Sequence, residues 1–115
     1  MSWWQRQDLS LLALGVISVH EIREGIELAP VGAKRKAIEI WLNDFVLRRF
    51  AGRILPVDTN AADMSARLVV AAKSSGHNAE LADALIAATA KVHGLDMATL
   101  NRKHFAPFDL NLVKF

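Results

Sequence analysis

At 115 residues and 52% hydrophobic composition, the chain is long enough for one domain with its own core and too short to be expected to hold two, so residues 1–115 are read as a single domain. Fourteen basic and twelve acidic side chains leave a formal charge of +2, a balance that permits a nucleic-acid partner without indicating one. The absence of cysteine excludes a disulfide framework and any thiolate metal site, and a cytoplasmic location is the expectation.

In chain order, the apolar stretch from Leu11 to Val19 is about nine residues, well short of the roughly 20 that span a bilayer, so no membrane segment is expected. Leu11 to Ile17 suits a buried parallel strand, although periodicity alone also allows a helix continuing into Glu21. Ser18-Val19-His20-Glu21 has capping-box spacing, which predicts a helix from about Val19 to Leu28. Between Lys34 and Phe50, Ile38, Trp41, Leu42, Phe45, Val46 and Phe50 recur at spacings of three and four, the pattern of a helix with one buried stripe. Arg53 to Val57 reads as a short strand, with Pro56 near its end. Thr59 or Asn60 can cap a helix to about Ser75 that Gly76 stops, and Asn78 can cap another from Ala79 to His93. Two further strands are expected, from Met97 to Leu100 and from Leu110 to Val113. Strands alternating with helices predict an α/β fold with a parallel sheet flanked by helices.

In such sheets ligands bind beyond the carboxyl ends of the strands, which singles out Glu21, Asp58 and Asn101. Asp83 joins them because it opens an otherwise apolar helix, Leu81 to Ala88. Two readings stand for each main acid. Asp83 gains from the helix dipole in a first turn, or it offers oxygen to a hard cation. Glu21 completes the capping box, or it lines the rim of the sheet. The four histidines show no metal-type spacing and are read as structural, while Lys34-Arg35-Lys36 reads as a solvated stretch that the nearby Arg48, Arg49 and Arg53 could alternatively extend into a phosphate-attracting edge, solvation being favoured. No glycine-rich phosphate loop, nucleophile elbow or Ser/His/Asp set is present, which disfavours nucleophilic catalysis.

Four segments carry a resemblance. Phe50-Ala51-Gly52-Arg53-Ile54-Leu55-Pro56, followed by Asp58, resembles the strand-entry segment of FitB/VapC-type PIN-domain toxins. Ile17 to Gly25 is similar to that family's strand-to-helix Glu motif, Asp83 to Lys91 to its Asp-x-x-Ile-Ala-Ala helix, and Ala98 to Phe105 to the segment before its last strand. The four follow the family's order and span Trp4 to Val113.

The resemblance implies a three-layer PIN-like fold, N-terminally truncated, because the family's opening strand and its Asp-Thr-Asn-type motif find no match here. It implies a toxin of a toxin-antitoxin system that hydrolyses RNA with Mg2+ or Mn2+, forms a homodimer and binds a cognate antitoxin. Glu21 and Asp83 take the positions of metal-binding acids, and Asn101 stands where some relatives have another acid, so it is expected to offer only a neutral polar contact. The alternative function is a catalytically silent PIN remnant that acts as a dimerisation or antitoxin-binding module.

Overall fold

The computed structural model describes residues 12–99 and 102–113, which fall into two compact units that meet in sequence between Leu55 and Pro56.

In the first unit, β1 (Leu14–Gly15) pairs in parallel with β2 (Ile54–Leu55), Leu14 opposite Ile54 and Gly15 opposite Leu55. The Leu14 amide also donates to the Arg53 carbonyl at 3.0 Å. The strand expected over Leu11 to Ile17 is therefore shorter, because helix α1 (Val16–Leu28) already includes Val16 and Ile17; Leu11 lies outside the described residues. Of the two options that the apolar run left open, the helix takes its last two residues. The early start also removes the capping box. Gly15, in extended conformation, is the residue before the helix and no side chain caps it, while Ser18 lies inside the first turn. The helix is held instead by packing. Ile22 and Ile26, one turn apart, meet Leu14, Leu42, Val46, Leu47 and Phe50, as expected where an apolar face outweighs local propensity.

Helix α2 (Ala33–Ile40) runs into a π-helical segment, Trp41–Val46, and then α3 (Leu47–Arg49). The helix predicted over 34–50 is thus present, with one widened turn in which the Leu47 amide reaches back to the Leu42 carbonyl. The stripe is narrower than predicted. Leu42 and Val46 are fully inside and Phe50 packs beside them, whereas Ile38, Trp41 and Phe45 remain 41–47% exposed. The six apolar residues form two adjacent columns on the helix, and only one column turns into this core.

In the second unit, α4 (Thr59–Ser74) packs against α5 (Leu81–Val92) through Leu68 and Ala72 on one side and Ala84, Ala87 and Ala88 on the other. Small side chains at the contact let the two helices approach closely. Asp58, not Thr59 or Asn60, caps α4, its Oδ1 accepting the Ala61 amide at 2.9 Å. Asn78 is likewise not the cap of α5. Helical bonding begins at Glu80, whose carbonyl accepts the Ala84 amide at 3.0 Å, and Glu80 adds no side-chain bond. Gly76 and Gly94 adopt left-handed backbone, with φ of 84° and 65°, just beyond α4 and α5, as helix stops require.

The two strands expected near the C-terminus reduce to a single parallel bridge between Met97 and Leu112 among the described residues. Met97 donates to the Asn111 carbonyl at 2.9 Å and accepts from Val113 at 2.8 Å. Between these ends, α6 (Arg102–Phe105) and a 3-10 turn (Ala106–Phe108) insert Phe105 and Phe108 into the core, their rings 6.2 Å apart. Asp109, in left-handed backbone at φ 53° and ψ 53°, ends the 3-10 turn.

Among the described residues no helix is long and apolar enough to cross a membrane.

Candidate active site

Asp83 is the third residue of α5, a helix whose remaining surface is largely apolar and mostly inside. Its carboxylate is only 14% exposed and its Oδ2 lies 3.4 Å from Nδ1 of His104 on α6. The two side chains share a hollow of about 180 Å³, whose wall also includes His77, Asn78, Glu80 and Lys103.

Burial pushes the Asp83 carboxyl above the ordinary aspartate range; the His104 ring pulls it down and the neighbouring Glu80 adds a smaller upward push. This balance bears on the two readings of the residue. A first-turn acid placed only for the helix dipole would gain from its position, but here desolvation outweighs the favourable contacts. A carboxylate kept at a cost within a polar hollow is the pattern of a working group.

Glu21 stands in the other unit, as the sixth residue of α1, and it is exposed. With the capping box absent, Glu21 has no capping role and stands as a solvent-facing helix residue. Asp58 is spent on its cap, and Asn101 lies outside the described residues.

The histidine reading divides. His93 turns back on its own helix, with Nδ1 2.8 Å from the Thr89 carbonyl, whereas His104 reaches the Asp83 carboxylate, a contact that sequence reasoning missed. No local pattern announces it, because it joins two separate elements. The basic residues of the first unit behave largely as a solvated face: Arg35 pairs with Glu27 at 3.0 Å, Lys36 with Glu39 at 3.6 Å, and Arg49 lies over the Phe45 ring. Arg53 differs, donating to the carbonyls of Leu12 and Arg49.

Among the described residues no set of three His, Asp or Glu side chains lies at metal-binding spacing. The donors do fit one class of ion. A carboxylate oxygen in a small polar hollow suits a hard cation that keeps most of its waters and takes further ligands from a phosphate, as Mg2+ does.

Residues 2–109 match the PIN domain family. The chain is 36% identical over 113 residues to a VapC ribonuclease, Y4jK, of Sinorhizobium fredii, covering 98% of this chain and 81% of that protein. The crystal structure of FitAcB from Neisseria gonorrhoeae superposes with a TM-score of 0.88 at 36% identity, covering 97% of this chain and 81% of the other. A member of the VapBC family of toxin-antitoxin systems from Mycobacterium tuberculosis, VapBC-5, is also similar, with a TM-score of 0.68 at 29% identity over 94% of this chain and 86% of the other. The chain belongs to the PIN-domain family, whose parallel sheet is flanked by helices. Within that family it is of the VapC/FitB type.

Proposed function

We propose that this chain is a metal-dependent endoribonuclease, the cytoplasmic toxin of a toxin-antitoxin pair, folded as one PIN-like domain. The observation that carries the proposal is the placement of Asp83, a nearly buried carboxylate in a polar hollow on the segment similar to the family's Asp motif. The ribonuclease name borne by a relative 36% identical over almost the whole chain supports it.

Asp83 and Glu21 are the proposed oxygen ligands of Mg2+ or Mn2+, and Asn101 a neutral polar contributor. A cation held there supplies an activated water and neutralises charge on the scissile phosphate. The work of the residues themselves is positional. The rigid start of α5 fixes the Asp83 carboxylate, and the His104 ring at 3.4 Å limits its rotation. Burial keeps bulk water from competing for the carboxylate oxygens, at the cost of a raised proton affinity.

Cleavage of RNA in the presence of Mg2+ tests the proposal. Asp83→Asn and Glu21→Gln should each lower the rate by at least about 100-fold, because even indirect partners of metal ligands cost 10–100-fold when removed. Unchanged activity in both variants removes the assignment.

A second reading has an observation of its own. The absence, among the described residues, of three ligating side chains at metal spacing favours a silent module that dimerises or binds an antitoxin, and the likeness to a toxin-antitoxin structure supports such a partner. Calorimetric titration with Mn2+ separates the two, since micromolar binding that Asp83→Asn abolishes counts against the silent module.

A further inference from the structure

Besides the two acids and His104, the Asp83 hollow is lined by three side chains that carry donors: the Lys103 ammonium, the His77 ring and the Asn78 amide. No hydrogen bond or ion pair among the described residues engages these three side chains. Other cationic side chains of the same unit are committed: Arg67 pairs with Asp63 at 3.1 Å, Arg102 donates to the Val113 carbonyl at 2.7 Å, and Lys91 reaches the Asp109 carbonyl at 3.4 Å. Lys73 makes no such contact but stands on the exposed last turn of α4, outside the hollow.

From this arrangement we propose that Lys103, His77 and Asn78 form a subsite for an RNA backbone phosphate adjoining the one to be cleaved. The inference rests on the reading of Asp83 as part of an RNA-cleaving site. Asp83 and Glu80 put two acids in the hollow, and acids repel a phosphodiester strand. A site of that sign needs cationic and N–H groups on its rim to hold the strand while the acids face the reacting phosphate. Lys103 supplies a mobile point charge, and His77 and Asn78 supply directional donors. Contacts to a backbone phosphate position the strand without selecting its sequence. They lie in two segments, 77–78 before α5 and 103 on α6, which bracket the hollow that holds Asp83.

Fluorescence anisotropy of a short labelled single-stranded RNA, with the full chain in EDTA so that nothing is cleaved, tests the subsite. Lys103→Ala should weaken binding by about three- to tenfold and reduce the salt dependence, as the slope of log affinity against log salt, by about 0.7, the value for one phosphate contact on a single strand. Lys103→Arg should restore most of the affinity. His77→Ala and Asn78→Ala should each weaken binding by about two- to fivefold, and Lys73→Ala, which removes the same charge elsewhere, should leave it nearly unchanged. Equal losses in Lys103→Ala and Lys73→Ala would reduce the effect to diffuse charge and overturn the proposal, as would unchanged binding in all three rim variants or no RNA binding by the wild type. Inorganic phosphate at matched ionic strength should fail to displace the RNA; displacement as complete as that by unlabelled RNA would also overturn the strand subsite. Cleavage kinetics keep the two proposals apart. If the wild type cleaves RNA, Lys103→Ala should raise KM and leave kcat close to wild type. Cleavage that is lost in Asp83→Asn but indifferent to every rim variant keeps the nuclease reading and sinks the subsite. The expected binding pattern in a chain that never cleaves RNA keeps the subsite and sinks the nuclease reading.

Discussion

The two units solve the same packing problem with different materials. Among the described residues, the first holds a core of three buried residues, Ile26, Leu42 and Val46, and leaves Leu28, Val31, Ile38, Ile40, Trp41 and Phe45 exposed. The second packs Ala72, Ala84, Ala87 and Ala88 at 0–1% exposure around Leu68, Phe105 and Phe108, with Val70, Leu81 and Leu95 the large apolar groups exposed among the described residues. The acids follow the same division. Glu21 sits in the open on the first unit, and Asp83 is almost enclosed on the second. A close-packed alanine interface holds a neighbouring side chain in one place, so the enclosed acid is the better-positioned one, and burial raises its proton affinity.

Substitutions can break or sharpen this comparison. The largest effect is expected in the small core: Leu42→Ala should cost about 2–5 kcal/mol in urea denaturation, since few neighbours can close the cavity. Ala88→Leu, in the alanine interface, should cost about 1–3 kcal/mol by overpacking; a smaller cost than about 0.5 kcal/mol would mean that α4 and α5 are less tightly fitted than the buried alanines imply. Asp58→Ala removes a cap and should cost about 1 kcal/mol, whereas Thr59→Ala and Asn60→Ala should cost much less.

The acids themselves give the smallest stability effects and the sharpest contrast. Because the folded state raises the Asp83 pKa, folding favours its protonated form. That contribution is present below the ordinary aspartate pKa and is lost as pH rises through the folded value, so at neutral pH the ionised group opposes folding. Asp83→Asn should therefore be more stable than wild type at neutral pH without divalent cations. The advantage should shrink as pH falls through the aspartate range. Thermal unfolding across pH measures it, and a destabilised Asp83→Asn at neutral pH would show that the His104 contact outweighs burial. Glu21→Gln, at an exposed position, should change stability by less than about 0.5 kcal/mol.

The comparison also shows which parts of the molecule were legible in the sequence. Long periodic segments were: α4, α5 and the helical run through Trp41 stand close to their predicted places. Short apolar runs were not, because a stretch such as Leu14-Gly15-Val16-Ile17 is compatible with strand and helix alike until its neighbours are known. Caps were misplaced by one or two residues, at Asp58 and Glu80, since several adjacent residues offered a capping oxygen and only backbone geometry chooses among them. The π turn at Trp41–Val46 has no composition signature. In the site, Asp83 stood out as a charge in an apolar helix, but its partnership with His104 depends on how the chain returns after α5, and no residue spacing records that path.

That return path has a consequence for how such a site can vary. The Met97–Leu112 bridge fastens both ends of the segment that carries Lys103 and His104, and Phe105 and Phe108 pin its middle into the core. The cost of closing a loop grows only slowly with its length, so the fastening tolerates changes in the chain it encloses. Within a few positions the chain thus separates core from surface: the two phenylalanines must stay apolar for the core to hold, while the exposed polar positions before them can be exchanged at little cost to it. The surface beside the Asp83 hollow can therefore be rewritten without disturbing the core beneath it.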